Sequence, residues 1–216
     1  IHIPSWQNPS VAITGTRKED AEPRTLPAVE IPPELRNLSY TQEGDSKIYG
    51  NVSPPAPPGK YKIDSNHNFT MTKWPRDITM TTGSYRFNNF TIDSDAQVTF
   101  SGNLKIYIEG TLSVTGNSNI KFSALGSGTK VEIYIGTNGS MTVENSGKIN
   151  YKNSPSNLGI YVASSNAVNI LGDARVNSAI YAPNSVCTIK NSSELRGGVV
   201  ANQVQLPGDA IIYDDV

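Results

Sequence analysis

The chain has 216 residues, a net charge of −1 and a pI near 6.2, a balance that leaves no basic field for nucleic acid or an anionic membrane. Its single cysteine, Cys187, excludes an internal disulfide, and its apolar runs are too short to cross a bilayer as a helix. Charged residues make up only 17%, while Asn, Ser and Thr are abundant, which suits a secreted or surface-exposed β-protein with polar, uncharged faces.

The first 60 residues hold ten of the fourteen prolines, from Pro4 to Pro58. Proline at that density excludes helix interiors and central strands, so residues 1–60 are expected to form an extended arm. One helical turn is expected at Pro33–Asn37. Ordering such an arm costs roughly 1–2 kcal/mol per residue in backbone entropy, so it has to lie against something. Ile3, Trp6, Val11, Ile13, Leu26, Val29 and Ile31 are available for that contact. Because the chain opens on Ile1 rather than Met, an upstream segment is expected to have been removed, and the sequence leaves open whether it held a signal peptide or a membrane helix.

Residues 61–216 read as strand after strand. Four segments share one pattern: Leu104–Ile108, Val131–Ile135, Leu158–Val162 and Ser178–Ala182. Each carries a tyrosine at the same point, and Tyr107, Tyr134, Tyr161 and Tyr181 are spaced by 27, 27 and 20 residues. The flanking residues alternate with period two, as in a strand. A second set of strands follows at Leu112–Val114, Met141–Val143, Val168–Ile170, Val186–Thr188 and Val204–Leu206. A third follows at Ile120–Phe122, Ile149–Tyr151, Ala174–Val176, Glu194–Leu195 and Ala210–Ile212. Residues 85–87, 90–92 and 98–100 supply an earlier coil. Glycine and asparagine fill the corners, including Gly116-Asn117, Gly126, Gly128 and Asn138-Gly139, where sharp turns need positive φ. Repetition at this spacing, with corner loops of varying length, predicts an all-β chain wound as a right-handed parallel β-helix of five to six coils with three short strands each. The four tyrosines then form one outward ladder with neighbours about 4.8 Å apart.

The segments Ser178–Ser185, Leu195–Ala201 and Leu206–Asp214 resemble a known pattern. They are similar to the C-terminal β-helix domain of bacterial PilX-like, pilus-associated surface proteins, in which "G-A-I-Y-A-P-N" is followed by "G-A-V-V-A" and "G-N-A-x-I-x-Y-D". The resemblance covers about residues 82–216. A weaker likeness is to the bactofilins, β-helical proteins that polymerise end to end. The resemblance implies a cell-surface or appendage role and brings no catalytic residues with it.

Three readings of the ladder stand side by side. It is a self-satisfied aromatic stack, a docking surface for the arm or for a neighbouring copy, or a platform on which sugar rings stack. Carboxylate clusters at Asp93-Ser94-Asp95 and Asp214-Asp215 read as a turn and a polar cap rather than acid–base pairs. His2 and His67 precede the regular coils, and no zinc or nucleotide motif is present. Thr70-Met71-Thr72 and Thr79-Met80-Thr81 repeat once and stop, too few for a flat threonine lattice. Cys187 reads as a small strand residue. The expectation is therefore a non-enzymatic extracellular or cell-surface module without cofactor or metal. It associates with copies of itself as an oligomer or filament, and its binding residues are Tyr107, Tyr134, Tyr161 and Tyr181. The sharper form has the arm of one copy lying along the strands of another. A glycan-binding or glycan-processing protein is the alternative, with surface glycan as its partner. Neither nucleic acid nor membrane contact is expected from this segment.

Overall fold

The computed structural model describes residues 25–50, 61–72, 77–123 and 130–213. Ile3, Trp6, Val11, Ile13, His2, Gly126, Gly128 and the Asp214-Asp215 pair lie outside the described residues. The chain is all-β. Its strands form one large, mostly parallel sheet, and the helical turn Pro33–Arg36 stands where the sequence placed one.

The strands fall into three columns that recur in fixed order along the chain. In the tyrosine column, residues 83–87 pair with 104–108, then 131–135, 158–162, 179–181 and 199–200, all parallel. A second column stacks 69–71, 90–92, 112–114, 141–143, 168–170, 187–189 and 204–205. A third stacks 78–80, 98–100, 120–122, 149, 176, 195 and 212. Antiparallel pairing occurs where the chain enters. The strand Ile48–Gly50 pairs with residues 78–80, and Lys62–Ile63 pairs with 69–70. The stretch read as an arm thus contributes a strand to the sheet.

Alternation sets the two faces. In the tyrosine column Leu104, Ile106 and Ile108 are buried, as are Val131, Ile133, Ile135, Leu158, Ile160 and Val162, while the residues between them are half-exposed. Each inward row repeats one kind of side chain from turn to turn, so apolar groups meet their own kind above and below. Phe69 and Phe90 stack at 4.3 Å between ring centroids, 5° from coplanar. Full burial of an aliphatic side chain contributes about 1.5–3 kcal/mol, and this interior is a continuous pile of them.

One register differs from the sequence reading. Cys187, not Val186, continues the row of Val168, and Ile189 follows in the row of Ile170. Val186 points outward, and Cys187 is fully buried. A bulge between Ala182 and Val186 absorbs the residue that alternation alone misassigned. Burial pushes the Cys187 thiol up to about 12, so it packs as a small apolar side chain. The two Thr-Met-Thr segments lie in different columns and do not stack on one another.

The corner between the second and third columns is built from pairs of left-handed residues: Ser94-Asp95, Gly116-Asn117, Asn145-Ser146, Gly172-Asp173 and Asn191-Ser192. Each pair bonds to the next. The amides of Asp95, Asn117, Ser146 and Asp173 donate to the carbonyls of Gly116, Asn145, Gly172 and Asn191 at 2.8–3.1 Å. Asn, Asp and Ser tolerate this conformation because their short side chains bond locally. The residue after each pair is small and buried: Ala96, Ser118, Gly147, Ala174 and Ser193. Close approach of the previous turn requires this. A Cβ on Gly147 would lie 2.3 Å from the Val114 carbonyl oxygen. We expect Gly147→Ala to cost about 1–3 kcal/mol through overpacking, read as a lower urea midpoint with an unchanged slope.

Candidate functional site

The four tyrosines are brought together as one row. Tyr107 pairs in register with Tyr134, Tyr134 with Tyr161, and Tyr161 with Tyr181. Arg86 occupies the same row one turn before Tyr107, and Val200 one turn after Tyr181. Val200 therefore ends the row. The Tyr134 and Tyr161 rings stack at 4.9 Å and 18°. The Tyr161 ring lies across Gly159, where a Cβ would come within 2.8 Å of the ring. Glycine in mid-strand is thus the condition for that ring's position.

Residues 27–41 of the arm lie along this row in the same chain, and they run from the last tyrosine towards the first. The Tyr181 hydroxyl donates to the Pro27 carbonyl at 2.6 Å. Ile31 and Leu35 are buried, the latter on the helical turn that packs against the strands carrying Arg86 and Tyr107. Lys105 Nζ reaches Glu34 at 3.3 Å and Glu132 at 3.8 Å. Leu26 and Val29 are half-buried.

Arg86 is the clasp at the far end. Its Nη1 donates to the carbonyls of Arg36 and Leu38, both at 2.7 Å, while Nε and Nη2 hold Glu109. The Tyr40 hydroxyl donates to the same Glu109 oxygen at 2.6 Å, and the guanidinium lies 4.3 Å from the centre of the Tyr40 ring. Tyr40 stacks on His67 at 4.1 Å. The Thr41 amide donates to the Arg86 carbonyl at 2.9 Å, and the Arg86 amide donates to Thr41 Oγ1 at 3.1 Å. Sequence reasoning missed Arg86 and Tyr40. The signal was Arg86 standing at the tyrosine position of the preceding turn.

A second outward row was also missed. Thr70, Thr91, Ser113, Thr142, Asn169, Thr188 and Gln205 lie in register on the second column. They are the middle residues of the apolar triplets that define that column, and they form a charge-free polar strip. On the third column Glu194 is buried between Arg175 and Arg196, so its two oxygens are held as an ion-pair acceptor. Asp93 accepts from the Ser94 amide at 2.7 Å and from Thr115 Oγ1 at 2.8 Å, as a turn residue does. Among the described residues no group of three or more His, Cys, Asp or Glu is placed to hold a metal ion.

The phenols report their surroundings. Burial pushes Tyr134 up to about 12, with Glu132, Tyr161 and Glu34 adding negative neighbours. Tyr107 and Tyr161 are raised, chiefly by burial. The fully buried Tyr85, whose hydroxyl donates to the Thr81 carbonyl at 2.6 Å, is pushed up to about 12. Tyr40 is raised by its bond to Glu109. A phenol raised in the fold contributes stability that is intact below its unfolded pKa of about 10 and is lost as pH rises through the folded value. We expect the melting temperature to hold from pH 7 to 9 and to fall between about pH 10 and 12, with phenolate absorbance appearing in step with unfolding. We also expect Arg86→Ala to cost about 1–3 kcal/mol, since it removes charge-assisted bonds to two carbonyls. Hydrogen exchange at the Thr41 amide and protease cleavage within residues 25–41 should both rise, while the tyrosine-column strands stay protected.

No curated protein sequence and no solved structure matches the chain. A family model matches residues 58–216, from just before the first strand of the stacked columns to the end of the sequence, and it shows that the chain belongs to the DUF7305 family of domains of unknown function.

Proposed function

We propose that the chain is a non-enzymatic structural or adhesion module of the cell surface or extracellular space, built as a right-handed parallel β-helix. The observation that carries this reading is the uniform stack: three columns in fixed order, parallel and in register over six successive tyrosine-column strands. Right-handed winding follows from the strong preference of parallel crossovers for that hand. A pile of in-register rows filled with aliphatic and aromatic side chains is stiff, as a structural module needs to be. The outward row of its second column is polar and uncharged, which suits a surface that stays hydrated and inert. The resemblance of residues 178–214 to pilus-associated surface domains points to the same place and to a subunit of a larger assembly.

The ladder serves first as the seat of the arm. The expected clasp between copies would need the Tyr181, Lys105 and Arg86 contacts to be exchanged between chains, since the arm already occupies them in its own chain. The glycan reading needs a free aromatic face, and Tyr134 and Tyr161 turn their faces towards each other. The structural reading is therefore preferred. Antibody labelling and protease shaving of intact producing cells should find the domain outside the cytoplasm. Incubation of the purified chain with a panel of polysaccharides should release no reducing ends, and release of sugar that survives repurification would make it an enzyme.

A further inference from the structure

The two ends of the stack differ. At the first, the chain closes its own roof. Ile48–Gly50 and Lys62–Ile63 pair antiparallel with the opening strands, and Ile48, Tyr61 and Ile63 are buried beneath them. At the last there is no such roof among the described residues. Strands Val199–Gln205 and Ile211–Tyr213 each pair on one side, with Ala179–Lys190 and Glu194–Arg196. Every inward row loses cover on reaching them. Ile180 is buried but Val199 is half-exposed, and the same step separates Ala182 from Ala201, Cys187 from Val204 and Leu195 from Ile212. Val200 is 42% exposed and Ile211 46%.

We propose that this last rung is an interface for a second copy of the chain, joined end to end about a two-fold axis. The proposal rests on the wound-stack reading for treating this rung as an end. Two observations favour a second copy over another occupant. The edge strand reads Val-Val-Ala-Asn-Gln-Val-Gln, without a charge or a proline, although those are the devices that keep solvent-facing edges apart. A two-fold contact sets the positions nearest its axis against their own copies, so a charged residue there would meet a like charge. This strand brings no such conflict. The opposite end is already closed by antiparallel strands, so a second rung of this kind is not offered there. The contact then ends at two chains and does not propagate into a filament.

The pairing that follows is specific. Residues 199–201 of one copy run antiparallel to 199–201 of the other, with Val200 opposite Val200 on the axis. Antiparallel partners stand about 4.5–5.5 Å apart at Cα, within disulfide reach. The other two strands of the rung then exchange partners, residues 203–205 meeting 211–213 of the second copy.

Light scattering across a concentration series of the full chain tests this. The expected mass is two chains, falling to one in Val200→Lys, which places two ammonium groups on the axis without touching a buried position. Val200→Cys should form a disulfide-linked dimer under mild oxidation, and Cys187 cannot compete because it is buried. A single-chain mass at every concentration, as when residues 1–24 of the same chain cover the rung, overturns the proposal. So does a dimer that survives Val200→Lys and fails to cross-link through Val200→Cys, or a mass that grows without limit. None of these results bears on surface location or on the absence of catalysis, which the labelling and polysaccharide assays read separately.

Discussion

Each strand of this sheet must lie in register on the strand before it in its column, because the backbone groups of the inner strands are satisfied by the strands on either side. That constraint reaches from the hydrogen bonds into the sequence. A position that is apolar in one turn must be apolar in the next, since the two side chains touch. The inward rows of the tyrosine column, with Ile106, Ile133, Ile160 and Ile180 as one of them, are the direct result. Outward positions obey the same rule more loosely, which is why Tyr can be followed by Tyr and Thr by Ser, Asn or Gln.

The corners obey the constraint in backbone terms. Turns that stack must share one conformation, and five successive corners use a pair of left-handed residues followed by a small buried one. Glycine fills only part of this column. Asn, Asp and Ser take the remaining places, and their exposed side chains leave the outer surface polar. The small residue is set by distance: the previous turn's carbonyl stands where a larger side chain would project. Ser118 and Ser193 turn that crowding into bonds, with Oγ donating to the Ile92 and Ile170 carbonyls at 3.1 and 2.8 Å.

A regular stack has two irregular problems, its sides and its ends. On one side residues 27–41 cover a strip of aromatic surface, and their hold is strongest at Arg86, where a guanidinium spans two arm carbonyls, one carboxylate and two rings. Placing Arg86 at the head of the tyrosine row makes the row a seat with a defined beginning. At its entry end the chain folds back on itself in antiparallel strands. At its exit the described rows become half-exposed, and the asymmetry between those described ends gives the stack a direction.

Much of this was legible in the sequence because strands stacked in register repeat a local pattern. Ile-Tyr at near-constant spacing announced one column, and the apolar triplets announced the others. The helical turn at Pro33–Arg36 was legible from its proline and composition. Tertiary structure decided what no local pattern contains. The bulge at 182–186 put Cys187 rather than Val186 inside, a choice that two adjacent apolar residues leave open. The seat of the arm joins Pro27 to Tyr181 across 154 residues, and such a contact depends on where the columns lie in space. The left-handed pairs at Asn145-Ser146 and Asn191-Ser192 carry no glycine to mark them. Sequence by itself determined the periodicity, because each strand's alternation is written in its own side chains. The ends, the corners and the partner of each face were decided by the fold, because they depend on which distant turns come to lie together.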